Sequence, residues 1–366
     1  MTEFLVQKEQ ILEKLNLASH FLQSRLTTSL PPGVLFKLKK NKLTLISSNL
    51  NSFYQGEITL ADEVKKETDF IIEPKDMIDF INLLNGQKIF FLVEEKRVIV
   101  KDEKNQGTFQ RIALEDYPSP SIKELKKQKI EIKKWQKILP RVLFAASSDE
   151  SRPVLTGIYF KTEEENLDLV ATDGFRLSLY REKKEIEIPS VIIPASFLEE
   201  IIRIAKNKEA FFSYLPEEKM ICFQINNDLF YTQLIEGEFP PYERVIPKET
   251  KTKIIVDKEE LLRNTKIIAV FARSFSNIVI FEIKKGELVL RPKTKENETI
   301  ARQDLVGFEG EEQTVAFNFK FVLDFLAHID AKEIEIGVLK PDAPVILKPK
   351  DKSELLHIIM PVRMAE

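Results

Sequence analysis

The stretch Ala171-Thr172-Asp173-Gly174 is where this sequence comes nearest to catalytic chemistry. A carboxylate on a tight turn after an apolar strand has the placement of a metal ligand or a nucleophile, so a hydrolase using Asp173 is one reading. Asp-Gly is also an ordinary tight-turn signal, and no second ligand set accompanies it. The three histidines, His20, His328 and His357, are scattered without ligand spacing. Cys222 sits in the strand-like run Met220–Ile225 and reads as a small core hydrophobe. As the single cysteine it cannot form an internal disulfide, which fits a reducing cytoplasm. Acidic groups such as Glu163-Glu164-Glu165 and Glu199-Glu200 read as solvated faces. The phosphate-binding, dinucleotide, zinc-protease, serine-hydrolase and CxxC signatures are absent from the sequence. The expectation is a protein without catalytic residues, metal or cofactor.

The elements that position these residues recur. Amphipathic helix candidates appear near Val6–Gln23, Lys133–Ser147 and Asp257–Ala272, spaced by about 124–127 residues. Ile11, Leu12, Leu15, Ala18 and Leu22 mark the apolar face of the first. Trp135, Ile138, Leu139, Val142 and Ala146 mark the second, and Leu261, Leu262, Ile268, Ala269 and Ala272 the third. Each leads to a small-residue–Arg pair (Ser24-Arg25, Ser151-Arg152, Ala272-Arg273) and then a β-rich run, at Val34–Lys39, Gly157–Phe160 and Asn277–Ile283. Shorter helices are predicted at Pro74–Leu84, Pro194–Lys206 and Asn318–Ile329, the first two opened by proline. The linkers Glu115-Asp116-Tyr117-Pro118 and Glu236-Gly237-Glu238-Phe239-Pro240 share an acidic–aromatic–proline pattern. The reading is an α+β chain of three similar units, each with two helices on antiparallel sheet, divided at 1–124, 125–250 and 251–366.

Hydrophobic residues make up 43% and charged residues 31% of the 366, as in ordinary soluble domains. No apolar run approaches the ~18 residues needed to span a bilayer. The N-terminal MTEFLVQKEQ lacks signal-peptide features, so a cytoplasmic protein without a membrane partner is expected. The net charge of −3 argues at first against nucleic acid. It divides unevenly, however, at about +3 on the six helix candidates against about −6 elsewhere. Lys133, Lys137 and Arg141 form a basic stripe at i, i+4 and i+8. Arg203 and Lys206 share the polar side of the next helix, and Arg263 and Lys266 lie away from the apolar face of the third long helix. Pro140 should kink or weaken the helix that carries the stripe.

Four segments carry a family resemblance: Phe144–Gly157 (FAASSDESRPVLTG), Val170–Leu177 (VATDGFRL), Glu238–Pro247 (EFPPYERVIP) and Met360–Met364 (MPVRM). In order and spacing they resemble the bacterial sliding clamps, the beta subunits of DNA polymerase III, along the whole chain. The resemblance implies a head-to-tail dimeric ring of clamp domains with helices lining a central hole. It implies double-stranded DNA through the hole, and as partners the DNA polymerase III catalytic subunit, the clamp loader and other proteins with clamp-binding peptides. The ring would act as a processivity factor without catalytic activity of its own.

By the same resemblance the partner-peptide cleft is formed by Leu155, Thr172, Gly174, Phe175, Arg176 and Leu177, with Pro240, Arg244 and Val245 from the linker. Pro344, Ile358, Met360, Pro361, Val362, Arg363 and Met364 complete it. Leucine, valine, isoleucine and methionine suit an apolar groove serving several ligands. Arg25 is implied as a phosphate contact, and Phe109, Val270 and Phe271 as residues of the homodimer interface. Three features depart from the family pattern: Phe175 stands where the family usually carries histidine, Arg111 replaces an apolar residue of some relatives, and Ala365-Glu366 extend the terminus beside the cleft. The alternative from a different class is a clamp-fold scaffold that does not encircle DNA.

Overall fold

The computed structural model describes residues 1–22, 33–113, 117–119, 125–206, 208–293 and 299–364. Ser24-Arg25, Glu115-Asp116 and Ala365-Glu366 lie outside the described residues. The first third of the chain gives β1 (Thr2–Gln7), α1 (Lys8–Ser19), β2 (Val34–Lys39), β3 (Lys42–Ser48), β4 (Ser52–Thr59), β5 (Thr68–Ile72), α2 (Pro74–Leu83), β6 (Lys88–Val93), β7 (Arg97–Lys101) and β8 (Gln106–Gln110). The second gives β9 (Gln128–Ile130), α3 (Ile132–Ile138), α4 (Pro140–Leu143), β10 (Gly157–Thr162), β11 (Asn166–Thr172), β12 (Arg176–Lys183), β13 (Val191–Pro194), α5 (Ala195–Ile204), β14 (Ala210–Leu215), β15 (Met220–Ile225) and β16 (Asp228–Gln233). The last gives β17 (Thr252–Asp257), α6 (Lys258–Ala272), β18 (Ile278–Lys284), β19 (Glu287–Pro292), β20 (Ala301–Asp304), β21 (Gly307–Glu309), β22 (Gln313–Asn318), α7 (Phe319–Ala327), β23 (Glu333–Val338), β24 (Val345–Pro349) and β25 (Leu355–Ile359). One order is written three times: strand, helix, four strands, helix, three strands. The α3–α4 pair counts as one broken helix, and β21 is an addition.

Every repeat makes two quartets of antiparallel strands. A central quartet uses its second to fifth strands (β5-β2-β3-β4, β13-β10-β11-β12, β22-β18-β19-β20), and a flanking quartet its first and last three (β1-β6-β7-β8, β9-β14-β15-β16, β17-β23-β24-β25). The central quartet of one repeat then joins the flanking quartet of the next. β4 pairs with β16 to make an eight-stranded sheet, and β12 with β25 to make one of nine, with β21 at its edge. Chain compactness follows these joined sheets, not the sequence repeats. One unit comprises Met1–Ile132 and Glu200–Leu234, the other Lys133–Glu199 and Ile235–Glu366.

Helical periodicity accounts for the buried faces. Ile11, Leu15 and Ala18 on α1, and Leu261, Thr265, Ile268 and Ala272 on α6, are buried at three- and four-residue spacing. α6 starts where the Asp257 carboxylate accepts the Glu260 amide at 2.8 Å, and α7 where Asn318 accepts that of Lys320 at 3.1 Å. The sequence places the start of the first helix at Val6, but residues 2–7 are strand, with Phe4 and Val6 buried on one side. Pro140 has the effect its ring dictates. The helix breaks at Leu139, which keeps helical angles (φ −56, ψ −42), and resumes as α4 without a proline amide to donate. Burial pushes the Cys222 thiol up to about 12, in keeping with its place in a core of Phe53, Leu215, Met220 and Tyr231. Among the described residues no helix is long and apolar enough to cross a membrane.

Candidate peptide-binding groove

The turn between β11 and β12 is built by Asp173. One carboxylate oxygen accepts the amides of Phe175 (2.8 Å) and Arg176 (3.0 Å), and the other accepts the Arg176 Nε at 3.1 Å. Gly174 follows with φ +93, a conformation an L side chain rarely adopts. Thr172 Oγ1 donates to the Arg176 carbonyl at 2.6 Å and accepts the Gly174 amide at 3.1 Å. The Asp173 carboxylate thus shapes a turn, and its lone pairs are engaged by donors of its own hairpin. Among the described residues no group of three His, Cys, Asp or Glu is placed to hold a metal ion.

Beside this turn lies an apolar cavity of about 310 Å3. Ten of the expected cleft residues line it: Leu155, Thr172, Gly174, Arg176, Leu177, Pro240, Arg244, Val245, Ile358 and Met360. Leu177 on β12 faces Ile358 on β25 across the sheet junction, and these two residues form the floor with Val170 behind them. Two lining residues were missed, Pro241 and Tyr242. A second aromatic residue in the linker, after Phe239, was the signal for Tyr242.

Six expected residues do not line the cavity. Phe175 is 61% exposed, because the turn points it outward, and it is not among the residues that line the cavity. Its carbonyl instead accepts the Met360 amide at 2.8 Å, tying the chain end to the turn. Val362 donates its amide to the Ala316 carbonyl at 2.8 Å, and with that bond Pro361, Val362, Arg363 and Met364 follow β22 past the lining. Pro344, half-buried just before β24, is likewise outside the lining.

Three arginines border the cavity region in different states. Arg152 pairs with Asp149 at 2.8 Å and donates to the Asp173 carbonyl at 3.2 Å. Arg176 reaches Asp324 on α7 at 2.5 Å and lies over the Phe321 and Phe144 rings, at 4.7 and 5.6 Å. Arg244 is exposed and has no side-chain partner among the described residues, so it remains open to an acidic group. A concave apolar slot with a few polar groups at its rim has the make-up of a ligand pocket.

The basic residues divide as well. Lys133 and Lys137 on α3 are exposed and unpaired among the described residues, while Lys134 is held by Glu182 and Glu185, both at 2.7 Å. Arg141 lies beyond the break, half-buried with its guanidinium 5.8 Å from the Tyr180 ring, so the stripe is not three equivalent charges. Arg203 is engaged by Glu200 one turn earlier, which neutralises it, and Lys206 lies past the end of α5. Arg263 and Lys266 share one shallow hollow with Leu262, Ile267 and Val270 and so lie beside apolar residues. Val270 is 51% exposed, Phe271 is half-buried, and Phe109 on β8 lies 5.8 Å from Phe80.

One α+β unit repeated three times, with central and flanking quartets joined in series, is the architecture of a clamp-type protein. Three family models describing the N-terminal, central and C-terminal domains of the DNA polymerase III beta subunit match residues 2–121, 129–241 and 243–363. The beta sliding clamp of Halalkalibacterium halodurans is 28% identical over 379 positions, covering 98% of this chain and 99% of its own. Among solved structures, the beta subunit of Thermotoga maritima matches with a TM-score of 0.90 at 25% identity, and that of Streptococcus pneumoniae with 0.91 at 26%, each covering 100% of both chains. The chain belongs to the DNA polymerase III beta-subunit family, the bacterial sliding clamps. It has three clamp domains, and its family is that of the non-catalytic processivity subunit.

Proposed function

We propose that two copies of this chain close head to tail around duplex DNA, with domains divided near residues 124 and 250. The groove would then tether partner peptides from the polymerase, the clamp loader and other proteins. The observation that carries the ring is the pair of sheet edges left over. Central quartets join flanking quartets at β4–β16 and β12–β25, which leaves the β20 edge and the β8 edge unjoined among the described residues. The same join between β20 of one copy and β8 of another continues the series, and a heterologous contact of this kind makes a ring when its rotation closes.

Side chains support that assignment. At the first internal junction His20 after α1 lies 3.7 Å from Glu200 on α5. Counting from the helix starts Lys8 and Lys258, and from Pro74 and Pro194, His20 corresponds to Val270 and Glu200 to Phe80. A polar internal pair is thus replaced by an apolar one where two copies would meet. Leu83 (82% exposed) and the Phe109 ring extend the patch on the β8 side. Phe271 and Ile267 extend it on α6, where Arg263 corresponds to the junction residue Glu13. Val270→Asp and Leu83→Asp should each convert the dimer to monomer in sedimentation.

DNA would meet Lys133 and Lys137 first, with Lys206, Lys266 and Arg25 as further candidates. Each neutralised phosphate releases counterions, and a few exposed lysines suit a ring that must slide. The deciding experiment loads the protein onto a nicked circle with a clamp loader, washes in high salt and then linearises the DNA. Retention on the circle and loss from the linear form is expected. Equal retention on both, or failure to load with an active loader, would favour a scaffold that does not encircle DNA. No cofactor enters the clamp's own action, which is to raise the effective concentration of a bound polymerase in the cytoplasm.

A further inference from the structure

One wall of the groove is not part of the sheet that forms its floor. Pro240, Tyr242, Arg244 and Val245 come from a connecting segment, in which Tyr242–Val245 makes one short 3-10 turn. A single such turn has little internal hydrogen bonding to hold its place. It is fastened from outside. The Tyr242 hydroxyl donates to Asp168 Oδ2 at 3.0 Å, and Asp168 is fully buried in the middle of β11. Arg181, opposite it on β12, grips both oxygens of that carboxylate, with Nε and Nη2 each at 2.6 Å. The Tyr242 ring packs on Val170, Leu177 and Ile358 beneath, and Lys161 bridges from 5.5 Å off that ring to Glu243 at 2.6 Å.

A buried carboxylate is costly unless its lone pairs are met, and an apolar side chain in a strand core would serve packing as well. Here one flank of the carboxylate is met by arginine and the other points at the phenol. A directional bond fixes the ring where apolar contact alone would let it slide. We propose that Asp168 and Arg181 are positioning residues for the groove: through the Tyr242 hydroxyl they hold the linker wall in its binding position before a peptide arrives. The gain would be preorganisation, since a wall already in place loses less freedom on binding. This rests on the reading of the groove as a peptide site.

Two measurements on the full-length protein test it. The first is amide hydrogen exchange over residues 240–246 without ligand. Tyr242→Phe and Asp168→Asn should each speed exchange there by about tenfold, as expected for one lost hydrogen bond to a charged group. Exchange as slow as in the unaltered protein overturns the proposal. The second is fluorescence anisotropy with a labelled pentapeptide that carries two adjacent large apolar residues to suit the slot and one aspartate to suit Arg244. Each variant should bind about fivefold to tenfold more weakly, and the double variant no more weakly than Asp168→Asn alone, because the residues act as one unit. Arg181→Lys, which keeps the charge but not the two-pronged grip, should fall between. Additive losses, or full affinity in Tyr242→Phe, overturn the proposal. If the unaltered protein ignores the probe, the peptide reading of the groove falls, and the exchange measurement alone decides whether the wall is pinned.

Discussion

At the β4–β16 junction the strands set Phe53 opposite Tyr231 on one face and Tyr54 opposite Phe230 on the other. At the β12–β25 junction the corresponding pairs are Leu177 opposite Ile358 and Ser178 opposite His357. The correspondence follows from the hairpins, since Phe53 and Leu177 each pair with the last residue of the preceding strand, Ser48 and Thr172. Two aromatics at the first junction close into a core with Met220, Cys222 and Leu215, packed by Leu125 from the linker. A leucine and an isoleucine at the second leave the slot that becomes the groove. The other faces differ in polarity. Tyr54 and Lys14 both bond the buried Asp228, at 3.0 and 2.7 Å, so tightly that a Cβ on Gly56 would lie 2.0 Å from the tyrosine hydroxyl. Among the described residues neither ring nitrogen of His357 has a hydrogen-bond partner, and the ring stacks on Phe325 with 4.9 Å between centroids. The same join is thus a filled seam in one place and an open groove in the other, and side-chain size across one cross-strand pair accompanies the difference.

The largest expected effect comes from breaking the filled seam. Asp228→Ala leaves the mostly buried Lys14 ammonium and the Tyr54 hydroxyl without a partner, and should cost about 3–5 kcal/mol. Calorimetry would show the first unfolding transition falling steeply, and an unchanged transition would mean that Lys14 finds solvent. Next comes a transplant: Leu177→Phe with Ile358→Tyr brings the aromatic pair of the first junction to the second. Peptide affinity should fall by about a hundredfold, roughly 2.7 kcal/mol, with the dimer intact in sedimentation. Affinity that survives would place the peptide elsewhere. The reverse exchange, Phe53→Leu with Tyr231→Ile, should open a hollow and cost about 2–4 kcal/mol in the same calorimetry.

Much of this was legible in the sequence because periodicity and punctuation are local. The helices α1 and α6, the proline that opens α2 and the break at Pro140 follow from spacing and ring chemistry. Ten of the residues implied by the family resemblance line the cavity, and the resemblance itself rests on compact motifs such as Val170–Leu177. What escaped depends on distant partners or on where a side chain points. Tyr242 matters through Asp168, 74 positions away, and Arg203 loses its free charge to Glu200 through a choice of rotamer. Phe175 had the right position and the wrong direction, since the turn, not the residue type, decides where its side chain points. The joining of quartets across repeats was invisible for the same reason: short antiparallel strands announce a sheet and not their neighbour.

The smallest effect at neutral pH is the most specific to the second junction. His357 is fully buried and its pKa is lowered from 6.5 to about 3, chiefly by burial and then by the Arg176 charge. Between those values the unfolded chain binds a proton that the folded one excludes. The stability from keeping the ring neutral is therefore intact above about pH 6.5 and is lost as pH falls toward 3, by about 1.4 kcal/mol per pH unit. His357→Phe removes both unbonded nitrogens and keeps the stack on Phe325, so at pH 7.5 it should change stability by about 1 kcal/mol or less, toward greater stability. Urea midpoints of the two proteins should lie close at pH 7.5 and diverge as the pH is lowered to 5, the variant falling less. Parallel curves would mean that the imidazole has a partner in the folded protein. Since Phe230 already occupies the corresponding place at the first junction, the exchange makes the inner faces alike in that position. The side chain points away from Leu177 and Ile358, so peptide affinity should hold, separating what stabilises this junction from what lets it bind.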